Sequence, residues 1–207
     1  IVYGARVSLV VGLLTTLTAV VLGMILGASA AYFGGVTDAV IMRFVEFFQT
    51  MPSLIFTIVV MVSLTPSIPV IILAISLTSW PQIARLVRAE VLKLRDAEFV
   101  MASKVIGLGN TRIILRHLLP NVAPTVIVTA SIVAAHAILL EAAISFLGLA
   151  DPNAISWGSM IGTGKEALRS AWYMAALPGV AIFITVLSLS LLGNGLNDAI
   201  NPHGAHK

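Results

Sequence analysis

The chain has 207 residues, of which 58% are hydrophobic and only 10% are charged. Soluble domains carry about 25% charged residues, so this composition excludes an ordinary soluble domain. The absence of cysteine excludes disulfides, thiol catalysis and cysteine-based metal sites. The net charge of +3 is attributed to the basic residues that orient the chain in the membrane and face anionic headgroups, rather than to binding of a nucleic acid. Because the apolar runs lack the alternation of transmembrane strands, the sequence predicts an all-α membrane protein.

Five apolar segments are long enough to be membrane-spanning helices. The hydrocarbon layer of a bilayer is about 30 Å thick, and a helix needs roughly 20 apolar residues to cross it. The first segment lies in a stretch without charge, and its helix is expected to end at the Gly34–Gly35 pair. The predicted spans are residues 8–31, 47–64, 68–90, 122–143 and 174–193, with an external segment at about 145–173.

The second and third predicted spans are separated by a short loop that contains Pro66. The second helix is expected to begin before residue 47, because residues 38–48 have helical periodicity and place Arg43 and Glu46 on one face. The third is expected to continue beyond the membrane as far as Lys93.

Small residues and aromatic residues predict how parts of the chain pack or lie at the membrane surface. Gly23, Gly27 and Ala31 recur every four residues, which predicts a close helix contact. In the external segment, residues 164–168 are predicted to form a short surface helix. Three aromatic residues of that segment are interpreted as anchors at the membrane surface, namely Trp157, Trp172 and Tyr173.

A polar island interrupts the apolar pattern between Arg85 and Arg116. It contains ten of the 21 charged residues and seven of the twelve Lys and Arg residues. Loops near span ends are enriched in Lys and Arg on the cytoplasmic side, so the island is predicted to be cytoplasmic. With five spans, Arg43 and the Lys207 tail would lie on the same side, which gives nine basic residues inside against three outside.

The island itself is predicted to form two short helices. The first runs over residues 99–106 and is broken by Gly107 and Gly109, after which Asn110 and Thr111 can cap a second helix. Pro120 and Pro124 would then mark the start of the fourth span. If only the charges are considered, the island could instead be a solvated basic loop that connects two spans and has no binding partner.

The order of small residues, glycine and Leu-Pro in the island resembles the cytoplasmic signature loop of ABC importer permeases. In that family the pattern is Glu-Ala-Ala, three residues, Gly, nine residues, an apolar residue, any residue and Leu-Pro. The matching positions here are Met101, Ala102, Ser103, Gly107, His117, Leu119 and Pro120. Met101, Ser103 and His117 depart from the pattern, and the resemblance implies that this loop, at about 94–120, couples the membrane helices to an ATPase.

Three other segments are similar to the dipeptide and oligopeptide permease subunits of that family. They are residues 3–9, 141–149 followed by 156–160, and 191–202, so the resemblance covers the whole chain. It implies a single type I ABC importer transmembrane domain over residues 1–207. Because the family has six membrane helices, it also implies that the first helix is missing from this sequence.

The resemblance further implies the partners of the chain. They are a homologous second permease subunit, two cytoplasmic ATPases, an extracytoplasmic substrate-binding protein and membrane lipid, in a prokaryotic inner membrane with the coupling loop and the C-terminus cytoplasmic. No Gly-rich phosphate loop followed by Lys-Ser or Lys-Thr occurs, so the chain is expected to be no enzyme and to hold no cofactor. ATP and Mg²⁺ would bind to the ATPases, and no nucleic acid is involved.

Ionisable groups within a span are candidates for function because they are costly in a bilayer. His136 shares a helix face with Thr129, which makes both possible lining of a transport pathway, although a histidine bonded to a neighbouring helix is the simpler interpretation. Glu141 could contact the amino terminus of a peptide, or it could pair with an external cation such as Arg169. The structural interpretation, pairing with an external cation, is favoured for Glu141.

Other classes of function stay open at this point. An ion-coupled or proton-coupled secondary transporter would more often show ionisable pairs near the midplane, where this sequence has His136 alone. A nickel-type ABC permease and a structural membrane scaffold are further alternatives. An intramembrane metalloenzyme is disfavoured, because a His-Glu-x-x-His motif is absent.

Overall fold

The computed structural model describes residues 1–200, and within them every regular element is helical. The Asn201–Pro202 end of the C-terminal motif and the Lys207 tail therefore lie outside the described residues. The elements are α1 Val2–Phe33, α2 Gly35–Thr50, α3 Ser53–Ser63, α4 Ile68–Leu94, α5 Glu98–Val105, α6 Asn110–Ile113, a π turn Ile114–Leu118, α7 Leu119–Phe146, α8 Trp157–Gly164, a 3₁₀ turn Lys165–Ala167 and α9 Tyr173–Ile200.

Within residues 1–200, four stretches are single helices long and apolar enough to cross a membrane: α1, α4, residues 110–146 and α9. The α2–α3 pair makes a fifth candidate, but its two helices are bent by 86°. The all-α fold class predicted from the sequence is confirmed. Each of the four continuous helices is longer than its predicted span.

The bundle is built around the contact between α1 and α4. Gly23 lies against Ile83, and a methyl group added at Gly27 would overlap the carbonyl oxygen of Ala84. Ala31 is fully buried in the same cluster. The stripe of small residues thus does what the sequence pattern predicts: it lets two helix backbones approach closely, where dispersion contacts replace the weak hydrophobic driving force between helices in lipid.

The turn after α1 uses backbone conformations that favour glycine. Gly34 and Gly35 have φ angles of 64° and 53°, and α1 ends at Phe33 as predicted. After the single residue Gly34, α2 starts at Gly35 and packs against α1 and α4 at the same end of the bundle, which is called the island end below because it carries residues 95–110.

The predicted second span at 47–64 is not one continuous helix, and this expectation was wrong. Met51 and Pro52 have extended backbones, with ψ angles of 126° and 118°, and the helix direction changes there. Proline disfavours the helical conformation of the residue before it and lacks an N–H group, so the helix ends at Thr50. Phe48 covers the bend, with ring centroids 5.8 Å from Trp80 and 6.2 Å from Phe56.

The fourth membrane helix begins about twelve residues before the predicted start at 122. Residues 110–146 form one continuous helical stretch. The π turn precedes Pro120, and in it the Leu119 N–H donates to Ile114, five residues earlier, which accommodates the proline without breaking the helix. Gly109 rather than Asn110 or Thr111 is the N-cap, so the predicted capping was wrong.

The external segment also differs from its prediction. Its short helix is α8, at Trp157–Gly164, and only a 3₁₀ turn occupies the predicted site at 164–168. Ser156 caps α8, because its hydroxyl accepts from Ser159 N and the Ser159 hydroxyl accepts from Ser156 N. Trp157 is only 4% exposed and its indole N–H donates to Ile1 O at 3.1 Å, so it packs inside rather than anchoring the surface.

We expect Gly27→Ala to lower the free energy of unfolding by about 1–3 kcal/mol, because the new methyl group overpacks the α1–α4 contact. Gly179→Ala is the matched control, since nothing lies within 4 Å of a methyl group there. Its effect should be neutral or slightly stabilising. Thermal unfolding of the detergent-solubilised protein, followed by tryptophan fluorescence, measures both. Equal stability of the two variants would contradict the proposed role of the contact.

Candidate functional site

The short helix α5 presents an apolar face at the island end. Val100 is fully buried and Ser103 is 6% exposed, so these two residues fix the helix against the bundle. On its other side Met101 and Val105 are 56% and 88% exposed, and Ala102 is exposed beside them. A helix that buries one narrow face and leaves small and apolar residues outside is suited to a groove on another protein.

A Schellman turn at Gly107 ends α5. The Gly107 N–H donates to Lys104 O at 3.0 Å and the Leu108 N–H donates to Ser103 O at 3.1 Å. Gly107 has a φ angle of 81°, which a residue with a side chain adopts only at a cost, while its surroundings are open. Leu108 then packs against the main buried cluster and returns the chain to the bundle.

Contacts with the end of α1 hold both sides of this loop. Before α5, Arg95 donates from Nη1 to Ala31 O at 3.0 Å. After α5, the Tyr32 hydroxyl donates to Asn110 Oδ1 at 2.9 Å. The Lys104 ammonium lies 5.4 Å from the centroid of the Tyr32 ring. The position of α5 is therefore fixed by α1 as well as by its own sequence.

An ion pair joins α2 to α4 near the same end. Arg88 donates from Nε and Nη2 to the two carboxylate oxygens of Asp38, both at 2.6 Å. Both side chains are partly buried, and a bidentate pair of this kind is stronger and more directional than a single contact. The predicted Arg43–Glu46 pair also forms, at 3.1 Å, but both side chains are largely exposed and it contributes little.

The structure divides the predicted coupling residues into three groups. Met101 and Ala102 are exposed on α5, whereas Ser103 and Gly107 shape and hold the helix. The others lie in the next helix: His117 is half-buried in the π turn, Leu119 packs on the main cluster and Pro120 is exposed. Sequence reasoning missed the anchors Tyr32 and Arg95, because their partners are 78 and 64 residues away.

The carboxyl group of Glu141 is buried near the opposite end of the bundle. It is 1% exposed, accepts from the Ser8 hydroxyl at 2.9 Å and accepts from the Ser145 hydroxyl at 2.6 Å. Ser8 Oγ in turn accepts from the main-chain N–H of Trp157 at 3.3 Å. Glu141 therefore joins α1, α7 and α8, and the expected pairing with Arg169 is not observed within residues 1–200.

His136 faces another side of α7. It lines a cavity of about 340 Å³ beside the bend between α2 and α3, and Thr129 and Glu141 do not reach that cavity. Thr129 is half-buried and donates to Thr125 O at 3.1 Å in its own helix. The structure thus separates the three candidate pathway residues. The hydrogen-bonding side chains of the cavity are Gln49, Ser53, Thr78, Ser79, Gln82 and His136.

The long apolar helices, with a short exposed helix held at one end, define a helical membrane protein with several spans. Residues 19–204 match the family model described as binding-protein-dependent transport system inner membrane component. The chain belongs to this family, which confirms the predicted ABC importer permease. It is a transport permease subunit rather than an enzyme, and the secondary-transporter alternative was wrong.

Relatives and solved structures agree with the family. The chain is 37% identical over 203 residues to a putative peptide transport system permease protein of Brucella suis biovar 1 (strain 1330), covering 98% of this chain and 68% of that protein. It is 39% identical over 203 residues to a dipeptide transport system permease protein of Alkalihalophilus pseudofirmus, covering 98% and 67%. The fold matches a chain of the MetNI methionine ABC transporter in an inward-facing conformation, with a TM-score of 0.73, 19% identity and coverage of 96% and 95%.

We expect Glu141→Ala to lower the free energy of unfolding by roughly 1–3 kcal/mol, because it leaves buried hydroxyl groups without their acceptor. Glu141→Gln should cost less, since the amide retains an oxygen acceptor. Glu166→Ala is the control, because Glu166 is exposed. Denaturant unfolding in detergent measures all three. The carboxyl junction would be of no structural importance if the Glu141→Ala and Glu166→Ala proteins were equally stable.

Proposed function

We propose that this chain is one permease subunit of an ATP-driven peptide importer and that α5 docks it to a cytoplasmic ATPase. The observation that carries the docking role is the exposed apolar face of α5, with Met101, Ala102 and Val105 held outward by the buried Val100 and Ser103. Because Met101 occupies the acidic position of the family pattern, docking rests on packing more than on charge. The flexible methionine side chain adapts to such a groove.

The position of α5 supports its role as the coupling element. It follows α4 after three residues, and only four residues separate it from the helix that continues into α7. A force applied to α5 is transmitted to both membrane helices through the short connections and through the Arg95 and Tyr32 contacts. ATPase closure would then move α4 and α7 as rigid levers.

The distribution of Lys and Arg residues supports an orientation of the chain in the membrane with the island end on the cytoplasmic side. The island end carries Arg43, Arg85, Arg88, Lys93, Arg95, Lys104, Arg112 and Arg116, whereas Arg6, Lys165 and Arg169 belong to the opposite end. Since cytoplasmic loops near spans are rich in Lys and Arg, the island end faces the cytoplasm. α8 and the segment before it then face the external binding protein.

The remaining partners follow from the same proposal. A homologous second permease subunit completes the pathway, two ATPases bind ATP and Mg²⁺, and an extracytoplasmic binding protein delivers the substrate. The peptide class is supported by the names of the relatives, which are peptide and dipeptide permeases. Nickel is the competing substrate for this kind of permease.

Gly107→Ala should reduce substrate uptake by a factor of roughly five or more, because a methyl group in the left-handed conformation costs about 1–2 kcal/mol and displaces α5. Gly109→Ala is a closely matched control: its surroundings are equally open, but its φ angle is −64°. Uptake and ATP hydrolysis are measured on the assembled transporter in proteoliposomes. Hydrolysis should continue in the Gly107→Ala transporter while uptake falls, and equal uptake by the two variants would contradict the coupling role.

The substrate class is tested with the unmodified transporter and its own binding protein. ATP-dependent accumulation of labelled trialanine, with no accumulation of nickel, is the expected result. Accumulation of nickel without trialanine would overturn the peptide proposal and leave the docking role of α5 unaffected.

A further inference from the structure

We infer that the cavity beside the bend between α2 and α3 is a binding site for the main chain of the peptide in transit. The inference rests on the proposed peptide-import function and goes beyond it by assigning the residues. It requires that the cavity lie at the depth of the membrane centre, that its lining can bond amide groups, and that it carry no charge. Each requirement is met by described residues.

Three residues locate the cavity near the middle of the bundle. Ser53 lies ten residues from Ser63, Ser79 eleven from Ile68 and His136 ten from Phe146, which are the helix ends away from the island. At 1.5 Å per residue these separations correspond to about 15 Å, or half of a hydrocarbon layer of about 30 Å. The cavity therefore lies where a substrate must cross the most apolar part of the bilayer.

Two prolines lie beside this cavity, one at a helix break and one inside a continuous helix. Pro52 separates α2 from α3, and Pro81 lies inside α4 between the lining residues Ser79 and Gln82. Each proline removes a backbone N–H donor from its helix. Irregular backbone at membrane depth is tolerated where it is buried in protein or lines a cavity, and this cavity provides such a place.

The polar lining has unused hydrogen-bonding capacity. Gln82 and His136 are exposed to the cavity, and within residues 1–200 neither side chain has a hydrogen-bond partner. Thr78 and Ser79 both donate their hydroxyl protons to Ile75 O, at 2.9 Å and 2.8 Å, so their oxygens can only accept from a ligand. The site thus offers amide, imidazole and hydroxyl groups that match the N–H and C=O groups of a peptide bond.

None of the lining side chains is itself a carboxylate, ammonium or guanidinium group, although the amide oxygen of Gln49 accepts from the Arg85 guanidinium at 2.9 Å. Neutral hydrogen bonds to the main chain do not distinguish one peptide side chain from another, and the open side of the cavity leaves room for side chains of different size. Such a site binds the main chain of many different peptides during transport instead of selecting one peptide. It differs from Glu141, whose two oxygens are already occupied by serine hydroxyls.

The absence of cysteine from the chain makes a direct labelling test possible. Ser53→Cys introduces a thiol into the cavity wall, and Ser170→Cys introduces one at an exposed external position as the control. Both are assembled with the partner subunits in proteoliposomes and treated with a small maleimide. Trialanine with the binding protein and ATP should slow labelling of Ser53→Cys at least threefold and leave Ser170→Cys unchanged.

Uptake measurements provide the second part of the test. Gln82→Leu combined with His136→Leu should reduce trialanine uptake at least tenfold without loss of basal ATP hydrolysis, and His136→Gln should retain most of the uptake. Thr185→Val, which removes a hydroxyl from α9 outside the cavity, should transport normally. Copurification of each variant with its partner subunits shows that it has folded and assembled, and basal hydrolysis shows that the ATPases remain active.

The outcomes separate this inference from the proposed function. Normal trialanine uptake by the double variant, or labelling of Ser53→Cys that trialanine does not affect, overturns the cavity site and leaves the peptide importer intact. Failure of the unmodified transporter to take up trialanine overturns both. Slower labelling together with loss of uptake in the double variant supports the site.

Discussion

The close contact between α1 and α4 is the interaction on which the rest of the structure depends. In a bilayer the apolar surface of a helix gains little by leaving lipid, so tight packing has to hold the helices together. Gly23 and Gly27 remove the side chains that would separate the two backbones. The α1–α4 contact brings Ala31 and Tyr32 to the loop that carries α5. At its other end α1 also packs on α7, where Ser8 meets the carboxyl group of Glu141.

At the island end, the short helix α5 has one face fixed against the bundle and another face exposed. α5 has only eight residues, and a helix of that length is marginal in water by itself. Its shape is maintained by Val100 in the core, by the Schellman turn at Gly107 and by contacts from α1. The residues that hold the helix are thus different from those that face outward, which allows the outer face to be apolar without loss of structure.

The two ionisable groups of α7, Glu141 and His136, have different environments. Glu141 is enclosed and fully occupied by hydrogen bonds, which makes it a junction between α1, α7 and α8. His136 lies on another face of α7, beside the cavity at the proline bend. The distinction follows from helix geometry: residues five positions apart point in different directions, so one helix supplies both a structural contact and a cavity wall.

The sequence by itself determined the all-α membrane fold, the order of its helices, the glycine turn after α1 and the short helix ended at Gly107. These features depend on local composition, on spacing and on the backbone freedom of glycine. It did not give the bend at Met51–Pro52, because an apolar run shows no change of direction, and it placed the external helix several residues too late. Only the tertiary structure decided that Tyr32 and Arg95 hold α5, that Ser8 reaches Glu141 and that His136 lines a cavity, because each of these depends on residues distant in the chain meeting across packed helices.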